Sequence, residues 1–194
     1  MRCLVVADLH YSLPQFDWLL AAAPEFDVVI FAGDALDIGS FVDFRAQILV
    51  VKKYLSLLSG MTRVILCSGN HDLDERSAEG EKIARWIGDV ELVQWIAQYQ
   101  PSMVISGHVH QSPFIPDGSW FDRLGTTWVF NSGLQHGRPP VYIVLDLDEG
   151  AAFWLAAGEA QCIDLRAPLL RPAAPIENPP PWLISLGRIA EPFS

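Results

Sequence analysis

Short apolar runs recur along the chain, and each one stops at a polar cluster. Arg2–Ala7 stops at Asp8-Leu9-His10, and Asp27–Ala32 stops at Gly33-Asp34. Arg63–Ser68 stops at Gly69-Asn70-His71-Asp72, and Ser102–Ser106 stops at Gly107-His108-Val109-His110. A fifth run, Thr126–Asn131, stops at Ser132-Gly133. The runs are continuously apolar rather than alternating, which predicts strands buried on both faces. Between them, Leu13–Ala23 and Phe41–Leu58 carry helical apolar spacing. Arg76–Ala97 does so too, with a weak point at Gly88 that divides it into Glu79–Ile87 and Glu91–Ala97. Strand and helix alternating in this way predict an α/β layered fold with a largely parallel sheet. From Val141 the helices stop. Val141–Leu147, Ala152–Leu155 and Gln161–Leu165 predict an antiparallel meander, with turns at Asp148-Glu149-Gly150 and Ala157-Gly158. Asp164–Ser194 holds seven of the 14 prolines and predicts an irregular surface tail. The expected organisation is therefore one domain over 1–165 and a proline-rich tail over 166–194.

Composition narrows the function classes. The 194 residues are 51% hydrophobic and 19% charged, enough to bury one sizeable core. The net charge is −10 with no basic patch, which argues against binding nucleic acid through its phosphates. The apolar run after Arg2 ends at Asp8, too early for a secretory signal, and the uncharged stretch Leu92–Pro116 is too polar for a membrane span. The three cysteines are too few for a disulfide framework, and Cys3 and Cys67 fall in predicted core strands. These features predict a cytoplasmic protein with no membrane partner. Trp86, Trp95, Trp128 and Trp154 read as core or interface residues.

The candidate chemistry lies at the strand ends, where open α/β sheets bind ligands. Asp8, His10, Asp34, Asn70, His108 and His110 supply the mixed oxygen and nitrogen donors that hard or borderline divalent metals take. Each element alone has an ordinary reading. Asp-x-His is uninformative, Gly33-Asp34 and Asn70 suit turns, Asp72 suits a cap, and Asp37 suits a helix N-cap or a supporting role. Four consecutive strand ends carrying such residues argue for a metal site. His136 and Arg138, after the fifth run, read as a loop histidine and as a pairing partner for either a substrate phosphate or a surface carboxylate.

The ordered set Asp8-Leu9-His10, Gly33-Asp34-Ala35-Leu36-Asp37, Gly69-Asn70-His71-Asp72 and Gly107-His108-Val109-His110 resembles the calcineurin-like metallophosphoesterase superfamily, from Met1 to about Gly133. The resemblance implies a β-sandwich of two mixed sheets flanked by helices. It also implies two divalent transition-metal ions (manganese, iron or zinc) and hydrolysis of a small phosphodiester or phosphomonoester by metal-activated hydroxide. By motif, Asp8, His10 and His110 would hold one metal and Asn70 and His108 the second, with Asp34 bridging. His71 would be the general acid, its ring oriented by Asp72. The family carries a further histidine before the last motif, yet none of the 34 residues between Asp72 and Gly107 is histidine. The expected fold thus lacks part of its middle segment, with an omission expected near Ile87–Glu91. Alternatives are a non-catalytic binding module with an incomplete second metal site and a mononuclear metal hydrolase.

Overall fold

The first apolar run forms β1 (Arg2–Ala7), which pairs in parallel with β2 (Val28–Ala32). β2 pairs in parallel with β3 (Arg63–Cys67). The connections are helices: α1 (Leu13–Ala22) between the first two strands, and α2 (Phe44–Ser59) between the second and third. Asp43 caps α2 by accepting from the Arg45 and Ala46 amides, satisfying two of the helix's first unpaired donors. The computed structural model describes residues 1–67, 69, 71–72, 89–169 and 173–190. Within them α3 (Asp89–Tyr99) leads to β4 (Met103–Ser106). Ile87 and Gly88, where the omission is expected, lie outside the described residues, as does the helical piece Glu79–Ile87; Asp89 and Val90, expected as linker, open α3.

The expectation of a largely parallel sheet is corrected. β7 (Tyr142–Asp146) joins β1 on its other side, antiparallel, with Leu4 opposite Val144. β8 (Ala151–Ala156), β9 (Glu159–Asp164) and the short β10 (Ala174–Pro175) extend the meander. The result is a mixed seven-stranded sheet in the order β10-β9-β8-β7-β1-β2-β3. A second, three-stranded sheet has the order β4-β6-β5. In it β6 (Thr127–Asn131) lies parallel to β4 and antiparallel to β5 (Phe121–Leu124). The two mixed sheets with flanking helices match the sandwich that the motif resemblance implies.

Burial explains the continuous runs. Leu4 and Val6 of β1 and Tyr142 and Val144 of β7 face the helical layer with Phe16, Trp18 and Leu19. Cys3 and Val5, with Ile143 and Leu145, face the small sheet with Trp120, Trp128, Phe130 and Trp154. A strand covered on both faces needs apolar residues at every position. Trp128 and Trp154 are core, Trp95 is about half exposed, and Trp86 lies outside the described residues. Cys67 is exposed, not buried as expected, because β3 is the last strand of its sheet.

The proline-rich segment is not irregular. β10 pairs with β9, and α4 (Pro181–Ala190) packs against α1, placing Leu183 and Leu186 in the helix-side core. The Arg2 guanidinium lies 5.3 Å over the Trp182 ring, and Phe153 meets that ring edge-on. No helix among the described residues is long and apolar enough to cross a membrane. Since Leu186 is wholly buried, Leu186→Ala should lower unfolding free energy by about 2–5 kcal/mol. Urea unfolding checks this, and a loss below about 0.5 kcal/mol would mark the tail as a loose appendage.

Candidate metal centre

The strand ends converge because each carboxylate takes amide protons from the neighbouring loops. Asp8, whose side chain is wholly buried, accepts from the Asp34 amide (3.1 Å) after β2 and from the His108 amide (2.6 Å) after β4. Asp34, itself buried, accepts from the His71 amide at 2.6 Å. Burying a carboxylate is costly unless it is hydrogen-bonded or neutralised, and charge-assisted bonds to N–H groups meet part of that cost.

Two glycines make room for these contacts. At Gly33, with φ +118°, a Cβ would sit 2.2 Å from Asp8 Oδ1. At Gly69 it would sit 2.1 Å from Asp34 Oδ1. Several non-glycine residues here also adopt positive φ, among them Asp8 (49°), His10 (45°), Tyr11 (57°) and His108 (70°). Such backbone is held against its own preference by the surrounding bonds, a condition that clusters at functional sites.

The side chains of Asp8, His10 and His110 form one candidate ligand group. His10 Nε2 and His110 Nε2 are 3.2 Å apart, and Asp8 Oδ2 is 3.6 Å from His110 Nε2. Two imidazole nitrogens each about 2.0–2.1 Å from one ion, at a tetrahedral or octahedral angle, stand about 3 Å apart. The group therefore fits a single divalent cation. Burial holds the His10 imidazole below its ordinary range; His71 and His110 push the same way, while Asp34 and Asp8 oppose. The neutral ring that results is the form that ligates metals.

The other expected residues are placed differently. Asn70 lies outside the described residues. His108 is exposed, and among the described residues neither it nor Asp34 falls in a group of three or more clustered His, Cys, Asp or Glu ligand atoms. Asp72 is not directed at the His71 ring. Its carboxylate accepts from the Ala35, Leu36 and Gly69 amides, so it ties the loop after β3 to the loop after β2. Desolvation pushes its pKa up, and these same amide bonds oppose the rise. The carboxylate facing His71 is that of Asp37, with Oδ1 3.6 Å from Nδ1. Asp37 is thus not the α2 cap, a role Asp43 fills. His10, Asp37 and His71 form a second cluster, in which the His10 and His71 rings meet edge-on at 4.6 Å.

The loop after β6 closes the rim. The Leu134 amide donates to the His110 carbonyl (3.1 Å), and buried Gln15 of α1 donates to the carbonyls of Gln135 (2.9 Å) and Gly137 (2.7 Å). His136, between those anchors, is exposed. Asp37 carried a sequence signal in its spacing from Asp34, whereas Gln15 had none.

Residues 1–86 match the family model for calcineurin-like phosphoesterases. This shows the family resemblance over the three motifs ending at Asp72. Among solved structures, Yfce, a phosphoesterase from E. coli, aligns at 18% identity with a TM-score of 0.52, covering 85% of this chain and 100% of that one. TT1561 of Thermus thermophilus aligns at 12% identity with a TM-score of 0.49, covering 85% and 99%. The Yfce alignment supports the shared two-sheet fold. None of the curated proteins compared matches this chain.

Gly33→Ala would force a Cβ onto the Asp8 carboxylate in a backbone conformation alanine avoids. It should cost about 1–3 kcal/mol and reduce the bound divalent metal by at least about half. Elemental analysis after gel filtration reads the metal, and full retention would refute the cradle.

Proposed function

We propose that the protein is a metal-dependent phosphoric ester hydrolase acting on a small phosphate ester, with phosphodiesters slightly preferred. The observation that carries this reading is the buried Asp8 carboxylate set beside the His10 and His110 nitrogens, a donor set suited to manganese, iron or zinc. Asp8, His10 and His110 would hold one ion. Asp34, Asn70 and His108 would supply the second site, with Asp34 shared. When bound, the ions neutralise the phosphoryl oxygens and lower the pKa of water.

The chain's own residues supply the remainder. His71 stands beside the ligand cluster, its ring meeting His10 at 4.6 Å. It acts as general acid, passing a proton from Nε2 to the leaving oxygen. Asp37, facing Nδ1, orients the ring for that transfer. Asp72 serves by holding the loop that carries His71.

His71→Ala should keep fold and metal while kcat falls by about 10²–10⁴. Loss of metal instead would make His71 a ligand. Asp34→Asn should remove at least one metal per chain, since a neutral amide bridges two cations poorly. The primary test is metal content per chain together with manganese-supported hydrolysis of a generic phosphodiester and phosphomonoester. A folded, metal-free, inactive chain would instead be a binding module, and metal with activity on neither ester would point to a hydrolase of another substrate class.

A further inference from the structure

We infer that Gln47 is a positioning residue that acts through Asp37 on His71; this rests on the general-acid reading of His71 given above. Gln47 lies in the first turns of α2, is 1% exposed, and directs its whole amide at one loop. Its Oε1 accepts from the Asp37 amide (2.9 Å), and its Nε2 donates to the Asp37 carbonyl (2.9 Å). Nε2 donates again to the Val42 carbonyl (2.9 Å), so one side chain holds both ends of the segment from Asp37 to Val42. Gln47 is itself anchored, its backbone amide donating to the carbonyl of the cap residue Asp43.

The clamp fixes the Asp37 backbone on both its polar groups. The carboxylate is then aimed by a local turn, in which the Gly39 amide donates to Asp37 Oδ1 (2.8 Å). That same oxygen is the one 3.6 Å from His71 Nδ1. A buried amide bonded at every donor and acceptor is a rigid connection, and truncating it leaves loop groups unpaired. The chain of contacts runs from helix α2 through Gln47 and Asp37 to the imidazole.

The test exploits what a general acid does. An alkyl ester needs its leaving oxygen protonated, while a 4-nitrophenyl ester leaves as a stable anion and needs this far less. With manganese-loaded enzyme, Gln47→Met should lower kcat on an alkyl phosphodiester by about 10–10², with KM within about threefold. On the 4-nitrophenyl diester kcat should change by less than about threefold. The double variant with His71→Ala should be no slower than His71→Ala alone, because both changes remove one function. Gln47→Glu should recover the alkyl-ester rate only in part, since burial favours its protonated form, whose single O–H can replace only one of the two bonds the amide donates. Equal losses on both esters, additive losses in the double variant, or loss of metal would each overturn the inference. If the wild type hydrolyses neither ester, the phosphoesterase reading falls and hydrogen exchange judges the clamp alone. The Asp37 amide should then exchange at least about tenfold faster in Gln47→Met, and an unchanged rate would refute it.

Discussion

Carboxylates buried where the strands end, each filled by amide protons from the next loop, are the constraint on which this molecule depends. Asp8 joins the ends of β1, β2 and β4, Asp34 reaches the loop after β3, and Asp72 returns from that loop to the one after β2. No single bond in this circuit is large, because a hydrogen bond to a charged group contributes about 1.5–3 kcal/mol. Their collective effect is geometric. Two negative groups are held out of water in fixed positions, and the electrostatic demand they create is what a divalent cation answers.

The scaffold is organised to keep that circuit rigid. β1 and β7 are buried between the helical layer and the small sheet, so Asp8 directly follows a strand that is buried from Cys3 to Ala7. The aromatic residues Trp120, Trp128, Phe130 and Trp154 fill the space between sheets, with Trp120 and Trp154 nearly parallel at 9°. Two buried glutamines then secure the rim from the helical side, Gln15 holding the loop after β6 and Gln47 the loop after Asp34. A site made of loops thereby acquires the precision of the elements beneath it.

The carboxyl-terminal segment adds a second kind of support. α4 places Leu183 and Leu186 against α1, the helix that also carries Gln15. Burial at the far end of the chain therefore bears on the same helix that holds the loop carrying His136. Pro179 and Pro180 do not prevent this, because they precede the helix, and Pro181 opens it, where a missing N–H costs nothing.

Much of this was legible in the residues, and the part that was not has definite causes. Most strands stand within a residue or two of their apolar runs, because two-sided burial demands unbroken hydrophobicity and glycine with Asp or His marks where it ends. The candidate ligand group Asp8, His10 and His110 could be picked out for the same reason, as donor residues at strand termini. β5 was not, since Phe121–Leu124 is a short strand carrying two charged residues at the rim of a small sheet. Nor was the antiparallel pairing of β7 with β1, because a strand buried on both faces has the same composition whether it runs parallel or antiparallel to its neighbour. The carboxylate that faces His71 was a tertiary matter as well. Asp72 is adjacent in sequence, but its oxygens are consumed by three backbone amides, whereas Asp37, 34 residues away, is brought in by Gln47. The sequence by itself determined which residues could ligate a metal and on which strand ends they sit, because hydrophobic burial and donor chemistry are local. Only the tertiary structure decided which carboxylates are spent on the backbone and which face the chemistry, because hydrogen-bond partners are allotted by through-space proximity.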